Sequence, residues 1–262
     1  MTDSTPLERI LKRDRAIVLA ALVAITVLCW VYMVVMAAGM SDMPMDGEGM
    51  GGMPAMQHWT PGYFAMMLLM WVLMMIGMMV PSAAPMILLF ASVSRRQRES
   101  GNAFVPTGVF VLGYLIVWSG FSLAATLIQW ALDEASMLSP MMASTSPYLG
   151  GGILIVAGIY QMTPLKHACL NHCRSPLHFV KDSWRPGAKG ALVMGLEHGA
   201  FCVGCCWILM GLLFFGGVMS LVWIAAIAVF VLFEKVMPRG DLVGILSGAA
   251  LAIFGLGYLL LR

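Results

Sequence analysis

Seven stretches of almost unbroken apolar sequence, at about 16–38, 62–91, 104–132, 147–164, 188–212, 218–236 and 242–261, dictate what this chain can fold into. Crossing a bilayer core takes about 20 helical residues. Inside lipid every backbone polar group needs an internal partner, so each stretch is expected to be helix. With 60% of 262 residues hydrophobic and 11% charged, a soluble domain could not hide the apolar surface. The expected fold is all-α: a polytopic transmembrane bundle of about seven spans in contact with the lipid bilayer. Residues 1–15 form a polar N-terminal segment, and 16–262 a single transmembrane domain. The first stretch, preceded by Arg9, Lys12, Arg13 and Arg15, is too long for a signal-peptide core and reads as a retained helix.

Charge fixes the expected orientation, since cytoplasmic loops collect Lys and Arg. With seven spans and the N-terminus inside, Arg9, Lys12, Arg13, Arg15, Arg95, Arg96, Arg98, Lys166, Arg174, Lys181, Arg185, Lys189, Lys235 and Arg239 share one side, and Arg262 alone is opposite. That is 14 of 15 basic residues, so the C-terminus is expected outside. The net charge of +2, with no basic stripe, gives no reason to expect nucleic acid as a partner. No phosphate-cradling loop and no hydrolase elbow occur.

The densest chemistry lies in the fifth stretch, at Glu197, His198, Cys202, Cys205 and Cys206. On a helix, His198 and Cys202 are four apart, as are Cys202 and Cys206, and Cys205 follows Cys202 by three. An imidazole and two or three thiols therefore share one face, with Glu197 at its edge. Ionisable groups at membrane depth are costly and mark functional sites, and thiolate with imidazole selects soft or borderline metals, Cu(I) first and Zn(II) second. The plainer account is that cysteine packs as a small hydrophobe and His198 bonds across a helix contact.

Methionine, 25 of 262 residues, forms a second pattern. The expected external loop, 39–61, carries Met40, Met43, Met45, Met50, Met53, Met56 and His58 among Gly, Pro, Asp42, Asp46 and Glu48. Thioethers are soft, bind without losing a proton and suit Cu(I) in an oxidising compartment. Equally, the loop reads as a flexible linker in a methionine-rich protein. In the second stretch Met67, Met70, Met74 and Met78 follow helical spacing towards Pro81 and Pro85, which are expected to break the helix near its inner end. A track of thioethers suits a soft-cation route, and methionine also serves as a gap-filler.

The expected cytoplasmic loop, 165–187, holds His167, Cys169, His172, Cys173 and His178. Thr163-Pro164 marks a span end or the start of a loop helix. One helical turn would bring Cys169 and Cys173 together, and the adjacent Lys166 and Arg174 favour thiolate. This makes Cys169, Cys173 and His172 a candidate inner transfer site. The third stretch shows no evident chemistry, with Asp133 and Glu134 at its outer end and Met137, Met141 and Met142 beyond as weak ligand candidates. Glu234-Lys235 reads as an ion pair at the inner interface, Cys29 as core, and Gly244, Gly248, Gly255 and Gly257 as close helix packing.

The order Val80-Pro81-Ser82, Thr163-Pro164-Leu165-Lys166 with Cys169 and Cys173-Arg174-Ser175-Pro176, Gly195-Leu196 with His198-Gly199, Cys202-Val203-Gly204-Cys205-Cys206-Trp207, Gly217-Val218-Met219 and Glu234-Lys235 resembles the bacterial family of predicted metal-binding integral membrane proteins, some members of which are labelled copper chaperones. The resemblance covers most of residues 60–260. It implies a multi-pass protein of the bacterial inner membrane. It also implies a metal-binding role for His198, Cys202, Cys205 and Cys206, with Cys169 and Cys173 as further candidates. The methionine-rich loop is not carried over from the family.

Three function classes follow. The first is a copper-handling membrane protein, a chaperone or carrier of Cu(I) rather than an enzyme, with a version in which it supplies a membrane copper enzyme. Capture falls to the 40–58 methionines and His58. The second-helix methionines and Cys202, Cys205, Cys206 and His198 relay the ion, and Glu197 tunes charge. No nucleotide-binding or phosphorylation motif occurs, so movement would be passive, gradient-coupled or driven by a partner. The second class is a membrane thiol-disulfide oxidoreductase using Cys202, Cys205 and Cys206, though the outer loops offer no cysteine to relay electrons. The third is a non-catalytic subunit of a larger membrane complex.

Overall fold

The computed structural model describes residues 6–41, 59–99, 106–139, 142–175 and 183–261. Its helices are α1 (Pro6–Ser41), α2 (Pro61–Glu99), α3 (Thr107–Glu134), α4 (Pro147–Gln161), α5 (Pro164–Arg174), α6 (Gly187–Gly211), the single turn α7 (Leu213–Gly216), α8 (Leu221–Val236) and α9 (Gly240–Leu260). No strand forms among the described residues, so the all-α expectation holds. Helix starts follow local chemistry. Ser146 and Thr163 accept from the backbone N–H of Leu149 and Lys166, each followed by a proline whose missing N–H costs nothing at a first turn. α1 starts well before the apolar stretch, and α2 runs past it through Arg95 and Arg96.

Five helices are long and apolar enough to cross a membrane, and α4 with α5 forms a further pair bent by 65°. α8, at 16 residues, is shorter than the usual span. Its ends nevertheless lie at opposite ends of the bundle. One end gathers the 142–146 connection and the Gly217 turn, where Ser144 N donates to the Phe214 carbonyl at 2.7 Å. The other gathers α5 and the α8–α9 link, where Arg174 donates to the Met237 carbonyl and His167 lies 3.3 Å from Asp241. Among the described residues the five long helices and the bent pair give up to six candidate spans, and short α8 runs beside them. The outer faces are apolar and exposed, as at Leu28, Val35, Val222, Val229 and Ile253. That is the reverse of a soluble surface and suits lipid.

Small residues bring the helices together. α3 and α6 run parallel, and a Cβ at Gly195 would strike the Phe110 carbonyl, while one at Gly113 would strike that of Leu192. α4 and α9 run antiparallel, where a Cβ at Gly248 would sit 2.7 Å from the Gly158 carbonyl oxygen. Gly217, at φ +94°, makes the turn into α8.

Pro81 and Pro85 do not break α2, contrary to the sequence expectation: the helix continues through both. Pro81 leaves the Gly77 carbonyl without its usual i+4 donor. Trp30 of α1 supplies one, its Nε1 donating to that oxygen at 3.3 Å. Neighbouring helices re-satisfy freed backbone groups in this way inside membranes.

Candidate metal centre

Cys202 sits at the middle of α6 with no exposed surface, and five helices converge on it. From α3, the Tyr114 hydroxyl lies 3.2 Å from its sulfur. From α8, Lys235 Nζ donates to the same sulfur at 3.0 Å and to Ser82 Oγ of α2, also at 3.0 Å. From α5, half-buried Cys173 comes close to Cys202 and Cys205. Cys205 and Cys206, three and four residues on, point the same way, and both thiols donate to the Cys202 carbonyl, at 3.1 and 2.9 Å. Cys206 Sγ also approaches Met79 Sδ of α2 at 3.9 Å. Tyr114 and Ser82 both donate to the Met79 carbonyl, which ties α2 and α3 to this point.

The spacing of Cys202, Cys205 and Cys206 thus puts three thiols together. Cys173 joins them, because α5 packs against α6 instead of hanging in a cytoplasmic loop. Cys169, one turn before Cys173 on α5, packs its sulfur against Gly204 of α6. His172 stacks on Phe201 with ring centroids 4.1 Å apart. His198 is buried one turn before Cys202, its ring near those of Tyr114 (5.8 Å) and Phe110 (6.0 Å). Glu197, expected to tune charge at the centre, instead pairs with Arg185 at 2.6 Å on a partly exposed face. It sits one residue, or about 100° of helix, from His198 and further round from Cys202.

Glu234 and Lys235 do not pair with each other. Glu234 forms a buried ion pair with Lys166 of α5, and Lys235 serves the thiols. Successive helical side chains do not face each other, and here the two reach different partners. Of the methionines, Met70, Met74 and Met78 are buried in α2. Met43, Met45, Met50, Met53, Met56, His58, Met141 and His178 lie outside the described residues, and Met40 is described only as backbone in the last turn of α1. Sequence reasoning missed Tyr114, Met79, Ser82 and Lys235. A lysine inside an apolar span signals a buried partner, which pointed to Lys235. Nothing in the sequence distinguished Tyr114.

Among the described residues, no three His, Cys, Asp or Glu side chains stand ready as a coordination shell. The reason is visible: Cys205 and Cys206 are folded back on the Cys202 carbonyl, and the Cys202 sulfur is bonded by Lys235 and Tyr114. Side-chain rotation would have to precede binding. The donor types themselves, four thiols and a thioether, fit a soft cation.

These features define a class, a multi-pass helical bundle of membrane type with a buried, sulfur-rich core. Residues 68–258, most of the chain, match the family PpoB2, described as copper chaperone. The chain belongs to that copper chaperone family. No curated protein and no solved structure matches it.

Proposed function

We propose that the protein is an integral membrane carrier of Cu(I), not an enzyme, that holds the ion at Cys173, Cys202, Cys205 and Cys206 with Met79 beside them. The observation that carries this reading is the meeting of half-buried Cys173 from α5 with the buried thiols of α6. A cysteine face built only for packing has no need of a lysine and a second helix's thiol. Binding is ligand exchange: a thiol that leaves the Cys202 carbonyl loses its proton as it takes the metal. Lys235 holds the cation's place at the Cys202 sulfur and, on displacement, keeps Ser82 as its partner. The neighbouring Met79 thioether favours Cu(I) over Zn(II). His198 and Cys169 flank the site.

In this reading α1, α2, α3, the bent α4–α5 pair, α6, α8 and α9 serve as seven spans of a bacterial inner membrane, with the N-terminus in and the C-terminus out. The ion is passed to a membrane copper enzyme or another membrane subunit. The test is anaerobic Cu(I) titration of the purified chain against a competing chelator, beside Cys202→Ser/Cys206→Ser. The reading requires loss of the tightest equivalent in the double variant. Unchanged affinity would overturn it.

A further inference from the structure

We infer a second soft-metal site, made of thioethers alone, at the opposite end of the bundle from α5. A cavity of about 20 Å³ lies between α1, α2 and the start of α8, room for one ion of water's size. Met33 and Met36 of α1, Met70 and Met74 of α2, and Met219 before α8 all line it, and the remaining lining residues are aliphatic. Five thioethers from three chain segments face one partly open recess, a concentration of soft donors at a single point. Met33, Met70 and Met74 are nearly fully buried, and Met36 and Met219 are half-buried.

The chemistry is selective. Neutral thioethers hold Cu(I) without releasing protons, and hard cations gain nothing from them. Among the described residues no charged side chain lines the cavity, so neutral thioethers hold the ion less tightly than the thiols would. That suits a receiving site. Met78 lies one turn along α2 from Met74, and Met79 touches Cys206, so successive thioethers on one helix lead to the thiol centre. Transfer is ligand exchange without a change of oxidation state. The inference rests on the Cu(I)-carrier reading above but names a different set of ligands.

The test uses the full chain with Cys173, Cys202, Cys205 and Cys206 all changed to Ser, titrated with Ag(I), a redox-inert soft monovalent cation, and with Cu(I) under anaerobic reduction. Met33→Leu/Met70→Leu/Met74→Leu is then added; Met-to-Leu exchange nearly conserves volume. The expected result is loss of one further equivalent with an unchanged unfolding midpoint. Equal stoichiometry and affinity with and without the methionine changes would overturn the site. Retention of every equivalent in the four-serine protein, with one lost on Met→Leu, would sink the thiol reading while leaving this one standing. Met219→Leu, at a half-buried position, reads the same cavity by weakened affinity if the triple variant does not fold, and unchanged affinity there also counts against the site.

Discussion

The buried pair of Lys166 and Glu234 ties α5 to α8 and so sets where Cys173 lies. Both side chains are almost fully buried, at 1% and 2% exposure. Gln161 Nε2 approaches the same carboxylate oxygen at 3.5 Å, and a Cβ on Gly244 would come within 2.9 Å of it. Two unit charges about 4 Å apart at an effective dielectric of about 20 attract by roughly 4 kcal/mol, and removing one member of a buried pair costs about 3–5 kcal/mol, because the other is stranded. Lys166→Met and Glu234→Gln should therefore each lower unfolding stability by about 3–5 kcal/mol, whereas the double variant, which strands no charge, should fall close to wild type. Denaturant unfolding in detergent micelles measures the full cycle. The single variants should also speed maleimide labelling of Cys173 as α5 loosens, and the double variant should restore protection. Additive losses in the cycle, or single variants within about 1 kcal/mol of wild type, would refute the reasoning.

Other expectations follow from the same contacts. Tyr114→Phe removes two hydrogen bonds of the hydroxyl and should lower stability by about 1–3 kcal/mol, with copper stoichiometry by mass spectrometry unchanged. Glu197→Gln breaks a partly exposed ion pair with Arg185 and should cost at most about 1 kcal/mol in unfolding; copper content should not move, and a loss would return Glu197 to the site. Gly195→Leu drives a side chain into the α3 backbone at Phe110 and should abolish the monodisperse, folded form seen by size exclusion, since overpacking with no room to shift costs upwards of about 1–3 kcal/mol.

Much of the fold was legible because lipid allows so few backbone solutions. The apolar stretches located the helices, and Thr163-Pro164 marked the α4–α5 break. Pro81 and Pro85 misled, because a proline's cost depends on what a neighbouring helix offers, and the Trp30 indole answers the Gly77 carbonyl. The thiol face of α6 was readable from spacing alone. Glu197, read at the edge of that face, turns instead to Arg185, and Glu234, read as the partner of Lys235, turns to Lys166. The arrival of Cys173 was not legible. It lies in a polar segment, and only the packing of α5 on α6 carries it to Cys202. Tyr114 and Met79 are ordinary core residues by pattern, and their role comes from pointing at one carbonyl and one sulfur on neighbouring helices.

The most direct measurement of the central claim is metal content by mass spectrometry, with metal-edge X-ray absorption, on the chain purified from copper- and zinc-supplemented cells. Wild type would be set beside the Cys173, Cys202, Cys205 and Cys206→Ser variant. The account predicts copper in wild type, in a sulfur-only shell, with the tightest-held copper missing from the variant. Copper retained in full by the variant, or zinc in place of copper in wild type, would contradict it.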